Sequence, residues 1–292
     1  MTIVIEVFRW RGAMSSNKIN NKVFIDYRDN ILFDKDNPIL AFKANRDRYT
    51  NIKNQNIYAG LAQIGSVNSE DALTWNVFRG MSELNDYSSI ERMLDFPIKN
   101  PNILIWLLAL NEHSNDLQYF VGKKIREIDG KYKGQITEPD VIIETENKII
   151  VIECKLGEFG KFPGHLWNTD REDGPQKRYN DYFVDNINPF IAIENNNIYY
   201  LKTTYQLFRM AFYAYLLGFQ LKKEPVLCSL TNNSWWQIDR EGNSPEKIWN
   251  QFCGFIDNKL LLKSFFWQDL KFSKESKLFE YLLKHECLNT VE

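Results

Sequence analysis

Short apolar runs of β type, VIEVF (4–8), KVFIDY (22–27) and ILF (31–33), alternate with Asn, Asp and Gly over the first 60 residues. They predict an extended entry segment of two or three strands. The period then changes. In SVNSEDALTWNVFRGMSEL (66–84), Leu73, Val77, Met81 and Leu84 recur at helical spacing, with Ser69 placed as N-cap and Glu70 and Asp71 in the first turn. NILIWLLALNEH (102–113) is apolar without a clear period and suits either a further helix or a buried strand. DVIIET (140–145) and KIIVIE (148–153) predict two strands about a Glu146-Asn147 turn. The stretch 155–190 is rich in Gly, Pro and charge and predicts a long functional loop. After it, TTYQLFRMAFYAYLLGFQL (203–221) predicts a helix with a Thr cap, PVLCSLT (225–231) a short buried strand, and EKIWNQFCGFI (246–256) and SKLFEYLLKHE (276–286) two amphipathic helices.

The hairpin at 140–153 brings in the chemistry. With a two-residue turn, facing pairs run outward from Thr145 with Lys148 to Asp140 with Glu153. Side chains alternate along a strand, so Lys155 shares a face with Glu153 while Cys154 points the other way. Two carboxylates held this close repel each other unless a positive group sits between them, and a hard divalent cation with oxygen ligands meets that need. Magnesium, with manganese able to substitute, suits it best because it takes one or two protein carboxylates and completes its shell with water and phosphate oxygens. Lys155 is then placed to orient or deprotonate an attacking water, or to stabilise charge developing on a phosphate.

Composition narrows the partners. The chain of 292 residues carries 36 Lys and Arg against 38 Asp and Glu, a net charge of -2, so nucleic acid would have to be met by a local basic patch. The four cysteines, Cys154, Cys228, Cys253 and Cys287, are far apart with no CxxC pair, which argues against zinc and fits a reducing compartment. The N-terminus lacks the order of a signal peptide and no run is long enough to span a bilayer, so a cytoplasmic protein without membrane contact is expected.

Pro139-Asp140 and Glu153-Cys154-Lys155 resemble the signature of the PD-(D/E)xK nuclease superfamily. The resemblance covers roughly residues 69 to 231, with helix, hairpin, helix and strand in the order of a restriction-endonuclease-like core. SEDALTWNVFR and YQLFRMAFYAY are also similar to segments of uncharacterised bacterial restriction-endonuclease-like proteins. It implies an α/β fold, a central mixed β-sheet flanked by helices over residues 61–235, preceded by a β-rich extension (1–60) and followed by a helical segment packed on the core (236–292). It further implies a metal-dependent endonuclease acting on nucleic acid, DNA rather than RNA, in a bacterial restriction or phage-defence setting. A non-cutting nucleic-acid- or protein-binding module on the same fold is the alternative.

Superfamily members often take a further metal-site acid from the helix before the hairpin, which makes Glu70 a candidate ligand; its position in a first helical turn also suits it simply to complement the helix dipole. On the later helix Gln206, Arg209 and Tyr213 share a face and offer hydrogen bonds to a phosphate or to the catalytic carboxylates. Some relatives carry Gln and Tyr four apart here, where this chain has Met210. Phe208, Phe212, Tyr215 and Phe219 are expected in the core. In the loop, Lys161, Arg171, Lys177 and Arg178 interleave with Trp167, Tyr179 and Tyr182 in a mixture suited to phosphate contact and stacking, although Asp170, Glu172 and Asp173 equally allow a solvated loop of mixed charge. His165 in the same loop reads as exposed. A net negative nuclease with small basic patches is expected to work with a recruiting or activating protein partner, or as a homo-oligomer.

Overall fold

The central apolar runs pair into a six-stranded mixed sheet. The computed structural model describes residues 18–19, 22–50, 57–128, 138–156, 187–191, 205–232 and 245–285. They form β1 (Lys18–Ile19), β2 (Val23–Phe24), α1 (Pro38–Arg46), α2 (Glu70–Leu84), α3 (Ser88–Leu94), β3 (Asn102–Ile105), β4 (Leu108–Ala109), α4 (Asn115–Ile128), β5 (Val141–Glu144), β6 (Lys148–Cys154), α5 (Tyr205–Leu221), β7 (Glu224–Thr231), α6 (Pro245–Cys253), β8 (Leu261–Phe266) and α7 (Lys277–Lys284). The chain divides into two units, Met1–Ala72 and Leu73–Glu292.

In the first unit β1 and β2 pair antiparallel, and single bridges join Val23 to Ser66 and Arg48 to Ala62. The buried Asn30 amide holds this unit together by donating to the carbonyls of Ile64 at 3.0 Å and Ser66 at 2.7 Å. Asn37 and Pro38, an N-cap followed by a proline whose missing N–H costs nothing in a first turn, start α1. The β-rich extension expected over 1–60 therefore contains a helix. Lys43 on α1 is buried between Asp47 at 3.2 Å and Asp71 at 3.0 Å. Its ammonium is held above the usual lysine range by those carboxylates, which outweigh the opposing effect of burial.

The sheet of the second unit runs β4-β3-β5-β6-β7-β8, antiparallel from β4 to β6 and parallel from β6 to β8. Ile149 to Cys154 of β6 are all buried, because β6 lies inside the sheet with side chains enclosed on both faces. One face carries Ile149 and Val151 against Leu207, Met210, Ala211 and Ala214 of α5, with α4 covering the same cluster through Val121 and Ile125. Each such aliphatic side chain contributes about 1.5–3 kcal/mol when fully buried. Gly218 lets α5 close down on the start of β7, since a Cβ there would lie 2.8 Å from Pro225 Cβ.

The open alternative at 102–113 resolves as strand. NILI is β3, and Trp106 and Leu107, with φ of 50° and 64°, form the turn to β4. Trp106 stacks on Trp75 of α2 at 6.2 Å between ring centroids. The C-terminal segment is not wholly helical, because LLKSFF supplies β8, a parallel edge strand beside β7. Phe219 also departs from expectation: it is 63% exposed, whereas Phe208 and Phe212 are buried and Tyr215 is partly so. It lies in the last turn of α5, just before the chain turns into β7. Among the described residues no helix is long and apolar enough to cross a membrane.

Candidate active site

The register of the hairpin assembles the site. Val141 faces Ile152 and Glu144 faces Ile149, and the Thr145 N–H closes the turn on the Lys148 carbonyl at 2.9 Å. One residue beyond the last ladder pair, Asp140 therefore lies beside Glu153. Two backbone donors fix Asp140: the Cys154 N–H bonds its Oδ2 at 2.8 Å, and the Trp106 N–H bonds its carbonyl at 3.0 Å. Glu153 continues the row of Ile149 and Val151 onto the α5 face, while Cys154 is buried with the opposite row.

Lys155 and Gln206 converge on Glu153. The Lys155 ammonium stands 2.5 Å from Glu153 Oε1 and 3.8 Å from Asp140 Oδ2, and it also donates to the Cys154 carbonyl at 2.7 Å. Gln206, in the first turn of α5, donates its Nε2 hydrogen to the same Glu153 Oε1. These donors matter because the Glu153 side chain is 0% exposed, against 13% for Lys155 and 15% for Asp140. A buried carboxylate is costly unless it is paired and hydrogen-bonded. The positive group that two facing carboxylates require is thus supplied within the chain by Lys155.

Other candidates are placed differently. Arg209 is turned inward, 4% exposed, with Nη2 donating to the Tyr213 hydroxyl at 2.8 Å, so it does not present itself to a nucleic-acid phosphate from the surface. Its neighbours on α5 explain this: Phe208, Met210 and Phe212 belong to the core, and the buried guanidinium takes its partner one turn along the same helix. Glu70 opens α2 within the first unit, where Ser69 caps the helix by accepting from the Ala72 N–H at 3.1 Å. Among the described residues no group of three or more His, Cys, Asp and Glu is spaced to hold a metal ion. Lys161, Lys177 and Arg178 lie outside the described residues, as do the rest of the basic and aromatic loop positions.

An antiparallel hairpin leading into a parallel strand–helix–strand unit, with Asp and Glu-x-Lys gathered at one end, defines a restriction-endonuclease-like α/β protein of the PD-(D/E)xK superfamily. The family model described as Restriction Endonuclease associating with ARP matches residues 6–247. That span is most of the chain, and the chain belongs to this family. None of the curated proteins and none of the solved structures compared with it matches.

Proposed function

We propose that this chain is a magnesium-dependent endonuclease that hydrolyses phosphodiester bonds of nucleic acid, DNA in preference to RNA, at Asp140, Glu153 and Lys155. The observation that carries the reading is the Lys155 ammonium held between two carboxylates, one of them fully buried, at the end of a sheet whose interior is largely apolar. A fold has no structural need to bury that cluster, since apolar residues of similar volume are as stable or more so.

The residues fit a metal ion by their donor set. Asp140 Oδ1 is engaged by no described group, and Gln206 Oε1 is buried without a hydrogen-bond partner among the described residues, so both have acceptor capacity left over. Asp140 and Glu153 would hold the ion, two carboxylates being the usual protein share for magnesium. Bound there, magnesium would lower the pKa of a water and polarise the phosphate. Lys155 would orient a water or stabilise charge on a phosphate oxygen beside Glu153. Gln206 would keep Glu153 in one orientation through Nε2. Lys161, Lys177 and Arg178 would contact the phosphate backbone.

The family's description includes association with ARP, which supports a protein partner that brings this weakly charged chain to its target. We further propose a setting in bacterial restriction or phage defence, in the cytoplasm; the restriction-endonuclease part of the family's description supports the first of these. The test incubates the purified protein with plasmid, linear duplex, single-stranded DNA and RNA, with magnesium or manganese or chelator. Metal-dependent cleavage that disappears in Asp140→Ala and Glu153→Ala is expected. Binding without cleavage of any substrate in metal, or full cleavage by Glu153→Ala, would replace this reading with that of a non-cutting module.

A further inference from the structure

We infer that Trp267, supported by Gln268 and Asn232, is a positioning residue that clamps the end of β6 and so aims Lys155 at the two carboxylates. The inference rests on the nuclease reading and adds residues from a part of the chain remote from the hairpin. β6 ends as a ladder at Cys154, one residue short of Lys155. The Lys155 N–H still reaches β7, donating to the Leu230 carbonyl at 2.9 Å. In a parallel ladder the Lys155 carbonyl would next accept from the backbone two residues on, at Asn232. β7, however, ends at Thr231.

The indole of Trp267 takes that place. Its Nε1–H donates to the Lys155 carbonyl at 3.1 Å, from the turn Trp267–Asp269 that follows β8. Trp267 is fully buried, so the ring has no freedom to swing away. A second bond fixes the next peptide: the Asn232 amide donates to the Leu156 carbonyl at 3.4 Å, and Gln268 holds Asn232 by donating to its Oδ1 at 2.7 Å. The two carbonyls beyond the ladder are thereby tied to the corner after β8. Rotation of the Lys155 peptide would carry the ammonium off Glu153, where it stands at 2.5 Å. A catalytic group displaced by about an ångström loses on the order of a hundredfold in rate.

The test uses full-length protein and a substrate that the wild type cleaves. Trp267→Phe keeps an aromatic ring but has no N–H; Gln268→Leu loosens Asn232 and leaves Trp267 intact. Turnover should fall about 10- to 100-fold in Trp267→Phe and less in Gln268→Leu. KM for nucleic acid and the magnesium concentration giving half-maximal rate should stay within about twofold, because neither the binding surface nor the carboxylates are altered. Trp267→His, which keeps a ring N–H, should recover part of the loss. Unchanged turnover in Trp267→Phe, or a loss carried by KM, would overturn the clamp. A second measurement needs no activity: in the nuclear magnetic resonance spectrum of the metal-free wild type, the Trp267 indole proton should exchange with solvent far more slowly than an exposed indole, and exchange at the exposed rate would overturn the clamp. A wild type that cleaves nothing would instead defeat the nuclease reading, leaving the indole measurement to judge the hydrogen bond alone.

Discussion

Removing Lys155 separates stability from chemistry in this site. Lys155→Met deletes the ammonium 2.5 Å from Glu153 Oε1 and leaves a fully buried carboxylate with the Gln206 amide still bonded to it. Breaking a buried ion pair from one side costs about 3–5 kcal/mol. The group left behind is the one without solvent access, so screening gives little relief, whereas the retained Gln206 bond places the loss near the lower figure. With a urea dependence of about 3 kcal/mol per molar, the unfolding midpoint should drop by about 1 M. Neutralising the orphan should reverse this. Glu153→Gln added to Lys155→Met should regain most of the lost stability, giving a favourable coupling in a double-mutant cycle, while neither variant cleaves nucleic acid. Urea unfolding in chelator reads the cycle. A Lys155→Met protein as stable as wild type, or a double variant no more stable than the single one, would show that the pair is not coupled as described.

Three further perturbations test other parts of the fold. Gly218→Ala should destabilise by about 1–3 kcal/mol despite its better helix propensity, because the new Cβ meets Pro225 Cβ at 2.8 Å and the Lys223 carbonyl at 2.9 Å; a more stable variant in urea unfolding would show that α5 does not press on β7 as described. His285 is buried beside Tyr281 with neither ring nitrogen hydrogen-bonded among the described residues, and burial pulls its pKa from 6.5 down to about 4. The unfolded chain therefore takes up the proton first as pH falls, so stability held above pH 6.5 should decline toward pH 4 by about 3 kcal/mol, a slope that His285→Phe should remove and that an unchanged slope in that variant would deny. Cys154 and Cys228 are buried, and burial pushes the Cys228 thiol well above its ordinary range, so neither should react with a thiol reagent before unfolding. Rapid labelling of native Cys154 would contradict the strand register.

The hairpin was legible because two local signals agree there. A two-residue turn fixes the pairing and alternation fixes the faces, so Asp140, Glu153, Lys155 and the burial of Cys154 follow from order in the sequence alone. The helices α2 and α5 were legible for the same reason, as their apolar period is long. Where the pattern depends on distant partners it gave less. LLKSFF carries a single lysine and a serine in an apolar run too short to declare its period, and only pairing with β7 makes it a strand. In α4 the apolar positions Leu117, Val121, Ile125 and Ile128 are spaced as a helix requires, with the basic residues Lys123, Lys124 and Arg126 set between them. Trp267 could not have been found locally. Its bond to Lys155 spans 112 residues, and nothing in WQDL distinguishes it from a core tryptophan.

One end of the sheet collects the polar groups for a reason rooted in its topology. β6 and β7 are parallel, so the α5 crossover returns the chain to the start of β7 and leaves both strands finishing at the same edge, the edge where open α/β sheets bind ligands. Because β5 is antiparallel to β6, its first residues reach that edge too, which brings Asp140 in line with Glu153. The helix runs back between the two parallel strands, so its N-terminal turn, with Gln206, lies where β6 ends. β8 is parallel to β7 and delivers Trp267 and Gln268 there as well. In mid-sheet each of these side chains would be a buried polar group without a partner. At the shared edge Lys155 and Gln206 both reach Glu153, and the same geometry that makes these groups tolerable to the fold gathers two carboxylates, an ammonium and an amide at one place.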